Sequence, residues 1–187
     1  MLQPNFNPFP ELLTQRLVLR RTLVSDLNQL FQIRSNSHIM NAIDREPAQS
    51  LQDARVLLDK MDDMINDASG IIWAICLKTD GVQIGNISFH IINKDHHRAE
   101  LGYVLLPHFH RQGIVHEAIS ALLDFGFNHM KLHSIEAKIN PINVASKGIL
   151  EKNAFVKEAH FKENFYFRER FSDTAVYSLL NPNKNIK

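Results

Sequence analysis

The fold-deciding part of the sequence is Ala99–Ala118, which reads AELGYVLLPHFHRQGIVHEA. Its apolar first half, Ala99–Leu106, has the composition of a strand and stops at Pro107. From Gly113 to Met130, apolar residues recur every three or four positions, which is typical of an amphipathic helix. The stretch therefore predicts a strand, a polar loop and a long helix in succession.

The loop between this strand and this helix is a candidate anion site. The first amides of a helix have no acceptor within the helix and lie at the positive end of its dipole. Gly113 would let phosphate oxygens approach the backbone, and Arg111 would add a charge-assisted hydrogen bond. The chain contains no G-x-x-x-x-G-K-[ST], G-x-G-x-x-G or G-x-S-x-G sequence. The residues alone leave two interpretations open, a phosphate site and an ordinary connecting loop.

The rest of the chain predicts short strands and helices in a mixed order. Strands are predicted at Thr14–Arg21, Ile71–Lys78, Val82–Ile92, Leu132–Ile139 and, as a pair, within Phe155–Leu180. Helices are predicted to begin near Ser25, Ser50 and Asn143. Asp80-Gly81, between two apolar runs, indicates a β-hairpin. The resulting order, β-α-α-β-β-β-α-β-α-β-β, predicts an α+β domain.

The composition is that of an ordinary globular protein. The 187 residues are 44% hydrophobic and 22% charged, with a net charge of +1. We therefore expect one domain over residues 1–187, with its core at about residues 10–180, and no direct binding of nucleic acid. Met1–Pro10 lacks the basic start and apolar core of a signal peptide, and Ile71–Leu77 is too short to span a membrane. We expect a cytoplasmic protein without membrane contact.

The cysteine and histidine patterns predict neither a disulfide nor a metal site. Cys76 is the only cysteine and lies in an apolar strand, which indicates a buried thiol rather than a nucleophile. His116-Glu117 begins like a zincin motif, but Ser120 occupies the position of the second metal-binding histidine.

Several motifs follow one another along the chain in a fixed order. They are Thr14–Arg20, Ala99–Leu105, Gln112–Ile114, Glu117–Ala118, Leu132–Ala137, Asn143–Ser146, Leu150–Phe155 and Asp173–Leu179. Together they resemble the ribosomal-protein N-terminal acetyltransferase (Rim-type) branch of the GNAT superfamily. The resemblance implies a GNAT fold, with a mixed central β-sheet of about six to seven strands flanked by about four helices. It also implies acetyl-CoA as the acetyl donor.

The resemblance assigns residues to the binding of acetyl-CoA. The family's pyrophosphate loop falls on six consecutive residues, His110, Arg111, Gln112, Gly113, Ile114 and Val115. His110 stands where the family has Gln or Arg, and Val115 stands where it has a small residue. The backbone of the preceding strand would bind the pantetheine arm through Val104, Leu105 and Leu106. The family's Asn-x-x-Ser motif falls on Asn143, which would contact the pantetheine, and Ser146.

The resemblance further implies direct attack of an amine on the thioester in a ternary complex. Ser146 would act as the general acid that hydrogen-bonds the departing sulfur. Three glutamates are candidates for the general base: Glu100, Glu136 and Glu163. Some members of this branch have a glutamate on a late strand as the proposed base, but here Phe165 occupies that position. The identity of the base stays open.

The expected acceptor is the N-terminal α-amino group of a protein or peptide. A ribosomal protein is one candidate. Two alternatives remain, a small amine such as an antibiotic or polyamine, and a non-catalytic sensor that binds acyl-CoA. We expect acceptor selection by residues Ser25–Ser69 and by the terminal hairpin. That hairpin carries the aromatic cluster Phe161, Phe165, Tyr166 and Phe167, which we expect to pack in the core and the hairpin rather than to form a substrate box. A monomer and a homodimer are both compatible with the sequence.

Overall fold

The computed structural model describes residues 1–182, which form one mixed sheet of eight strands. The strands are β1 (Leu12–Leu13), β2 (Leu17–Arg20), β3 (Ile71–Leu77), β4 (Gln83–Asn93), β5 (Arg98–Leu105), β6 (Ser134–Ile139), β7 (Val156–Phe167) and β8 (Arg170–Leu180). Their spatial order is β1-β2-β3-β4-β5-β6-β8-β7. The β5–β6 pair is parallel, and the other neighbours are antiparallel.

Within residues 1–182, five α-helices cover the two faces of this sheet. They are α1 (Leu27–Ser35), α2 (Ser37–Ala42), α3 (Leu51–Asn66), α4 (Ile114–Asp124) and α5 (Val144–Lys152). Buried residues of α4 and α5 join the main core around Trp73 and Phe89 of the sheet. On the other side, α1 and α3 pack together against Ile72, while α1 and α2 pack against Val104. The side chains of β5 therefore alternate between two differently covered faces.

The predicted α+β class and element order are confirmed, with one more strand and one more helix than expected. The two extra elements are short: β1 has two residues and α2 has six. Segments of this length carry too few apolar repeats for periodicity to reveal them. The long helix predicted as far as Met130 ends at Asp124 and continues as a π-helical turn over Phe125–His129. The Met130 amide donates to the Phe125 carbonyl, so the apolar pattern continues although the hydrogen bonding changes.

The terminal hairpin of β7 and β8 differs from expectation. Phe161, Phe165 and Tyr166 are 53%, 43% and 60% exposed, so the expected packing of these residues in the core is wrong. Packing within the hairpin does occur, since the rings of Tyr166 and Phe171 lie 4.9 Å apart. The physical reason is topological, since β7 lies at the sheet edge and most of its residues are exposed on both faces. A strand sequence rich in aromatic residues looks the same in a projecting hairpin as in a half-buried strand.

Cys76 behaves as the sequence predicts. Its side chain is fully buried in β3, and burial raises the pKa of the thiol to about 11. Within residues 1–182, no three or more His, Cys, Asp or Glu side chains are grouped so that they could hold a metal ion. In the same part of the chain, every helix is too short or too polar to cross a membrane.

Candidate active site

Strands β5 and β6 diverge in the middle of the sheet. Their parallel register covers Arg98–Glu100 against Ser134–Glu136 and then ends, although β5 continues to Leu105. Beyond this point β6 remains paired with β8, while β5 remains paired with β4. The edge of β5 after Glu100 therefore faces an opening rather than another strand. This opening leaves backbone groups available to an extended ligand.

The residues predicted to contact the pantetheine arm lie at this open edge. Val104 and Leu105 face Asn86 and Gly85 of β4, and the Leu106 amide donates to the Ile84 carbonyl at 2.9 Å. Strands β4 and β5 approach so closely here that a Cβ atom at Gly85 would overlap the Val104 carbonyl oxygen. The glycine thus sets the position of the predicted cofactor strand.

The predicted pyrophosphate loop leads into α4. Gly113 has φ 75° at the N-cap, and Arg111 also adopts a left-handed conformation, with φ 59°. The amides of Ile114 and Val115 lie in the first helical turn, where they have no acceptor within the helix. Gln112 donates its side-chain amide to the His108 carbonyl at 3.0 Å, which braces the loop from within. The arrangement suits an anion with several oxygens.

His110 makes a contact that the sequence did not indicate. Its Nε2 lies 2.9 Å from the carbonyl oxygen of Leu105. A carbonyl oxygen can only accept, so Nε2 carries the proton. In a neutral ring Nδ1 is then an acceptor and has no hydrogen to offer a phosphate. In this state His110 braces the loop against β5, and Arg111 is the side chain in the loop suited to donate to phosphate.

The negative charge of Glu117, in the first turn of α4, is balanced by groups near the start of the chain. Arg16 donates Nε to Glu117 Oε2 at 2.7 Å and its amide to Oε1 at 2.8 Å, and Thr14 Oγ1 donates to Oε1 at 2.5 Å. Burial alone would raise the pKa of Glu117, but these hydrogen bonds outweigh it and lower that pKa. Neither the motif that contains Arg16 nor the motif that contains Glu117 predicts this contact from the sequence.

Ser146 lies at the far side of the opening, in the first turn of α5. The Asn143 side chain caps this helix by accepting from the Ser146 amide at 3.0 Å, as predicted. Asn143 Nδ2 also donates to the Ala42 carbonyl at 3.2 Å, which ties α5 to α2. The Ser146 hydroxyl lies 2.6 Å from the Tyr103 hydroxyl of β5. The structure thus brings Ser146 to the open edge of β5, and Tyr103 is a site residue that sequence reasoning missed.

Glu100 and Glu136 face each other across the parallel pair, at the point where the strands diverge. Lys138 Nζ lies 2.7 Å from Glu100 Oε2 and 3.4 Å from Glu136 Oε1. Arg98 binds Glu136 at 2.7 Å, and His90 Nε2 lies 3.3 Å from Glu100. Burial would raise the pKa of Glu100, but the bonds from His90 and Lys138 outweigh it and lower that pKa to about 2.

Glu163, the third predicted base, lies apart from this pair. It belongs to β7, which is separated from β6 by β8. Glu163 interrupts the β7–β8 register with φ 49°, and its amide donates to Asp173 Oδ1 at 2.9 Å. The structure therefore groups Glu100 with Glu136 and leaves Glu163 on the projecting hairpin.

The tip of that hairpin is fastened to the loop after α2. Arg168 donates Nε and NH2 to the two carboxylate oxygens of Glu46 at 2.8 and 2.7 Å, and NH1 to Asn41 Oδ1 at 2.9 Å. Asn140, at the end of β6, donates to Asp44 at 3.4 Å. These contacts bring α2, the hairpin and the start of α5 to the same end of the opening. We call the contacts of Arg168 the hairpin clasp.

Comparison with known proteins gives consistent matches over this arrangement. A family model described as an acetyltransferase (GNAT) domain matches residues 16–156. The uncharacterized N-acetyltransferase YoaA of Bacillus subtilis is 32% identical over 174 residues, which cover 93% of this chain and 98% of YoaA. The putative ribosomal N-acetyltransferase YdaF of Bacillus subtilis is 28% identical over 54% of this chain and 55% of its own. The structure of Vibrio cholerae spermidine N-acetyltransferase with CoA and spermine matches with a TM-score of 0.79 and 25% identity, over 88% of this chain and 95% of that one.

Proposed function

Since the chain belongs to the GNAT acetyltransferase family and takes acetyl-CoA as its acetyl donor, we propose that its acceptor is the α-amino group of a protein or peptide N-terminus. The observation that carries this proposal is the pairing of three carboxylates around the opening, those of Glu46, Glu100 and Glu136, with cationic side chains. The name of the relative YdaF, a putative ribosomal N-acetyltransferase, supports the same acceptor class.

A polyamine carries several positive charges and is best bound by carboxylates that lack other partners. Around this opening Glu100 is paired with Lys138 and Glu136 with Arg98. Glu46, beside α2, is held by both donor groups of Arg168. Binding a polycation here would break ion pairs that already satisfy these groups. A single amine on an otherwise uncharged chain end fits the electrostatics better.

The acid–base demands also favour an α-amino group. Such a group has an ordinary pKa near 8, whereas that of a lysine-like amine is near 10.4. At neutral pH a fair fraction of α-amino groups is already uncharged, so a strong base is unnecessary. Glu100, whose pKa is lowered to about 2, is a weak base. In this proposal the amine loses its proton to water, and Glu136 and Glu163 remain the candidates to orient that water.

The residues of the opening suit acetyl-CoA, which supplies an activated acetyl group and a thiolate leaving group. In this proposal the first amides of α4, at Ile114 and Val115, and the Arg111 side chain bind the pyrophosphate. The backbone of Val104–Leu106 binds the pantetheine arm, and Asn143 borders it. Ser146 donates a hydrogen bond to the sulfur as the acceptor nitrogen takes the acetyl group.

The test is a measurement of CoA release with a panel of acceptors at pH 7.5. We expect turnover with short peptides that have a free N-terminus, and none with the same peptides after N-terminal blocking. Spermidine and an aminoglycoside serve as the small-amine comparison. Faster turnover of either small amine than of every peptide would overturn the proposed acceptor. Tight acetyl-CoA binding without turnover of any acceptor would instead indicate a sensor.

A further inference from the structure

Tyr103 and Ser146 are 43 residues apart in sequence and meet across the opening. Their hydroxyl oxygens are 2.6 Å apart, which is short even for a bond between two hydroxyl groups. Tyr103 lies on β5, where its backbone pairs with Ile87 of β4. The sheet therefore fixes the position from which the Tyr103 side chain extends. Ser146 is 8% exposed, and its amide is held by the Asn143 cap. The Ser146 side chain is therefore largely shielded from bulk solvent.

The chemistry of the two groups decides which one donates. A phenol is more acidic than an aliphatic hydroxyl and is therefore the stronger hydrogen-bond donor. Burial raises the pKa of Tyr103 to about 12, against a smaller lowering by Ser146, so the phenol keeps its proton at any pH where the enzyme works. In the reverse arrangement, the Tyr103 proton would have only the Ser146 carbonyl at 3.4 Å to bind. The short contact is thus best satisfied when Tyr103 donates to Ser146 Oγ.

If Tyr103 donates this hydrogen bond, the orientation of the Ser146 O–H bond is constrained. With one lone pair occupied by Tyr103, the Ser146 hydroxyl directs its own hydrogen to a different acceptor. A hydroxyl that accepts a hydrogen bond also becomes a better donor, because hydrogen bonds in a chain polarise one another. We propose that Tyr103 is a positioning residue that holds the Ser146 hydroxyl with its hydrogen directed at the sulfur of the departing CoA. The inference rests on the proposed function of Ser146.

The step balances without a proton from Tyr103. The acceptor nitrogen forms a bond to the acetyl carbon, and the carbon–sulfur bond breaks with its electron pair going to sulfur. The nitrogen loses its proton to water, and the sulfur accepts the hydrogen bond from Ser146. Tyr103 remains a neutral phenol throughout. A group of this kind affects the rate of acetyl transfer rather than the binding of acetyl-CoA.

The experiment is a double-mutant cycle of Tyr103→Phe and Ser146→Ala, with kcat, acetyl-CoA KM, calorimetric acetyl-CoA Kd and Tm measured for each protein. We expect Tyr103→Phe to lower kcat about 10-fold and to change Kd by less than about threefold. Ser146→Ala should lower kcat more, and the double variant should be no slower than Ser146→Ala alone. Tyr177→Phe, which removes another buried phenol hydroxyl, is the matched control and should leave kcat unchanged.

The outcomes separate this inference from the proposed function. If Ser146→Ala leaves kcat unchanged, the role of Ser146 fails and this inference fails with it. If Ser146→Ala is slow but Tyr103→Phe is not, the proposed role of Ser146 stands and only the inference is overturned. Multiplicative losses in the double variant, or a Kd that rises in step with the loss of kcat, would likewise show that Tyr103 does not act through Ser146.

Discussion

Arg16 binds Glu117 at 2.7 Å and also donates NH1 to the Gln112 carbonyl at 2.9 Å. The bond joins the residue before β2 to the first turn of α4, across 101 positions of sequence. A Cβ atom at Gly113 would lie 3.5 Å from Arg16 NH2, so the guanidinium stands beside the predicted pyrophosphate loop. A carboxylate in the first turn of a phosphate-binding helix would repel its ligand. Arg16 offsets that charge.

Replacing Arg16 with methionine should therefore weaken the binding of acetyl-CoA. The variant leaves Glu117 unpaired beside the predicted pyrophosphate loop and removes a nearby positive charge. We expect the acetyl-CoA KM to rise about 2- to 5-fold with little change in kcat, because a charge near a helix end is worth roughly 0.3–1 kcal/mol. Steady-state kinetics at two salt concentrations measure the effect, which should shrink in high salt.

Two further variants control this experiment. Adding Glu117→Gln to Arg16→Met removes the unpaired carboxylate and should recover most of the lost affinity. Arg55→Met breaks an exposed Arg–Asp pair within α3 and should leave the acetyl-CoA KM unchanged. An Arg16→Met enzyme with normal KM would show that the pair serves the packing of α4 alone.

The close approach of β4 and β5 predicts that Gly85→Ala damages both stability and cofactor binding. The added methyl group would overlap the Val104 carbonyl and press on Leu105, which are backbone and core atoms. We expect the free energy of unfolding to fall by about 1–3 kcal/mol, as for other overpacked sites. The acetyl-CoA Kd should rise as well, since the displaced strand is the one predicted to bind the pantetheine arm.

Gly148→Ala is the matched control for that substitution. Gly148 lies exposed in α5, and a Cβ atom there would meet nothing within 4 Å. Alanine should increase helix stability by roughly 0.5–1 kcal/mol. Urea unfolding and calorimetry measure both variants. If Gly85→Ala unfolds like the parent protein, the strands can separate without cost and the cofactor strand is not positioned by this contact.

Local signals predicted much of the fold, because they depend on neighbouring residues. The Asp80-Gly81 turn joins β3 and β4 as predicted, and Asn143 caps α5. The contacts that build the site are long-range, and their partners follow from sheet register and helix packing. Nothing in the sequence alone indicates that Tyr103 meets Ser146, or that Arg16 meets Glu117.

The charged neighbours of the candidate glutamates could not be predicted from the sequence either. Sequence reasoning identified Glu100 and Glu136 as carboxylates near the reaction and could not assign them a charge environment. Lys138 and Arg98 are close to them because β5 and β6 are parallel in one particular register. A shift of that register by one residue would put Lys138 on the opposite face of the sheet from Glu100, and Glu136 on the opposite face from Arg98. The pKa of Glu100 is therefore a property of the folded sheet.

Stability should depend on pH through Glu100. Its pKa is about 2 in the folded protein and near 4.5 when unfolded, so the ionised form stabilises the fold above pH 4.5 and this contribution is lost as pH falls towards 2. The contribution of ionised Glu100 to the free energy of unfolding follows from this difference in pKa and is on the order of 3 kcal/mol at pH 7. Glu100→Gln should lower the free energy of unfolding at pH 7, and the difference from wild type should fall to roughly half at pH 3.

Urea unfolding at pH 7, 5 and 3 tests this dependence. Asp59→Asn, which removes an exposed partner of Arg55, should show no comparable pH-dependent difference. The same Glu100→Gln protein should keep kcat within about threefold of wild type, because a carboxylate of such low pKa contributes little as a base. A much larger fall in kcat, with the protein still folded, would restore Glu100 as the general base.

The hairpin clasp predicts a selective effect on the acceptor. Arg168 holds the β7–β8 turn against Glu46 and Asn41 through three hydrogen bonds. Arg168→Ala should release the hairpin tip and raise the peptide KM several-fold, while the acetyl-CoA KM and Tm stay nearly unchanged because the pair is exposed. Arg168→Lys should be intermediate, since lysine keeps the charge but cannot bind both carboxylate oxygens in the same planar geometry.

The control is Arg170→Ala, which removes an exposed arginine at the start of β8 and should leave both KM values unchanged. Equal changes in both KM values for Arg168→Ala would mean that the clasp supports the whole site rather than the acceptor side.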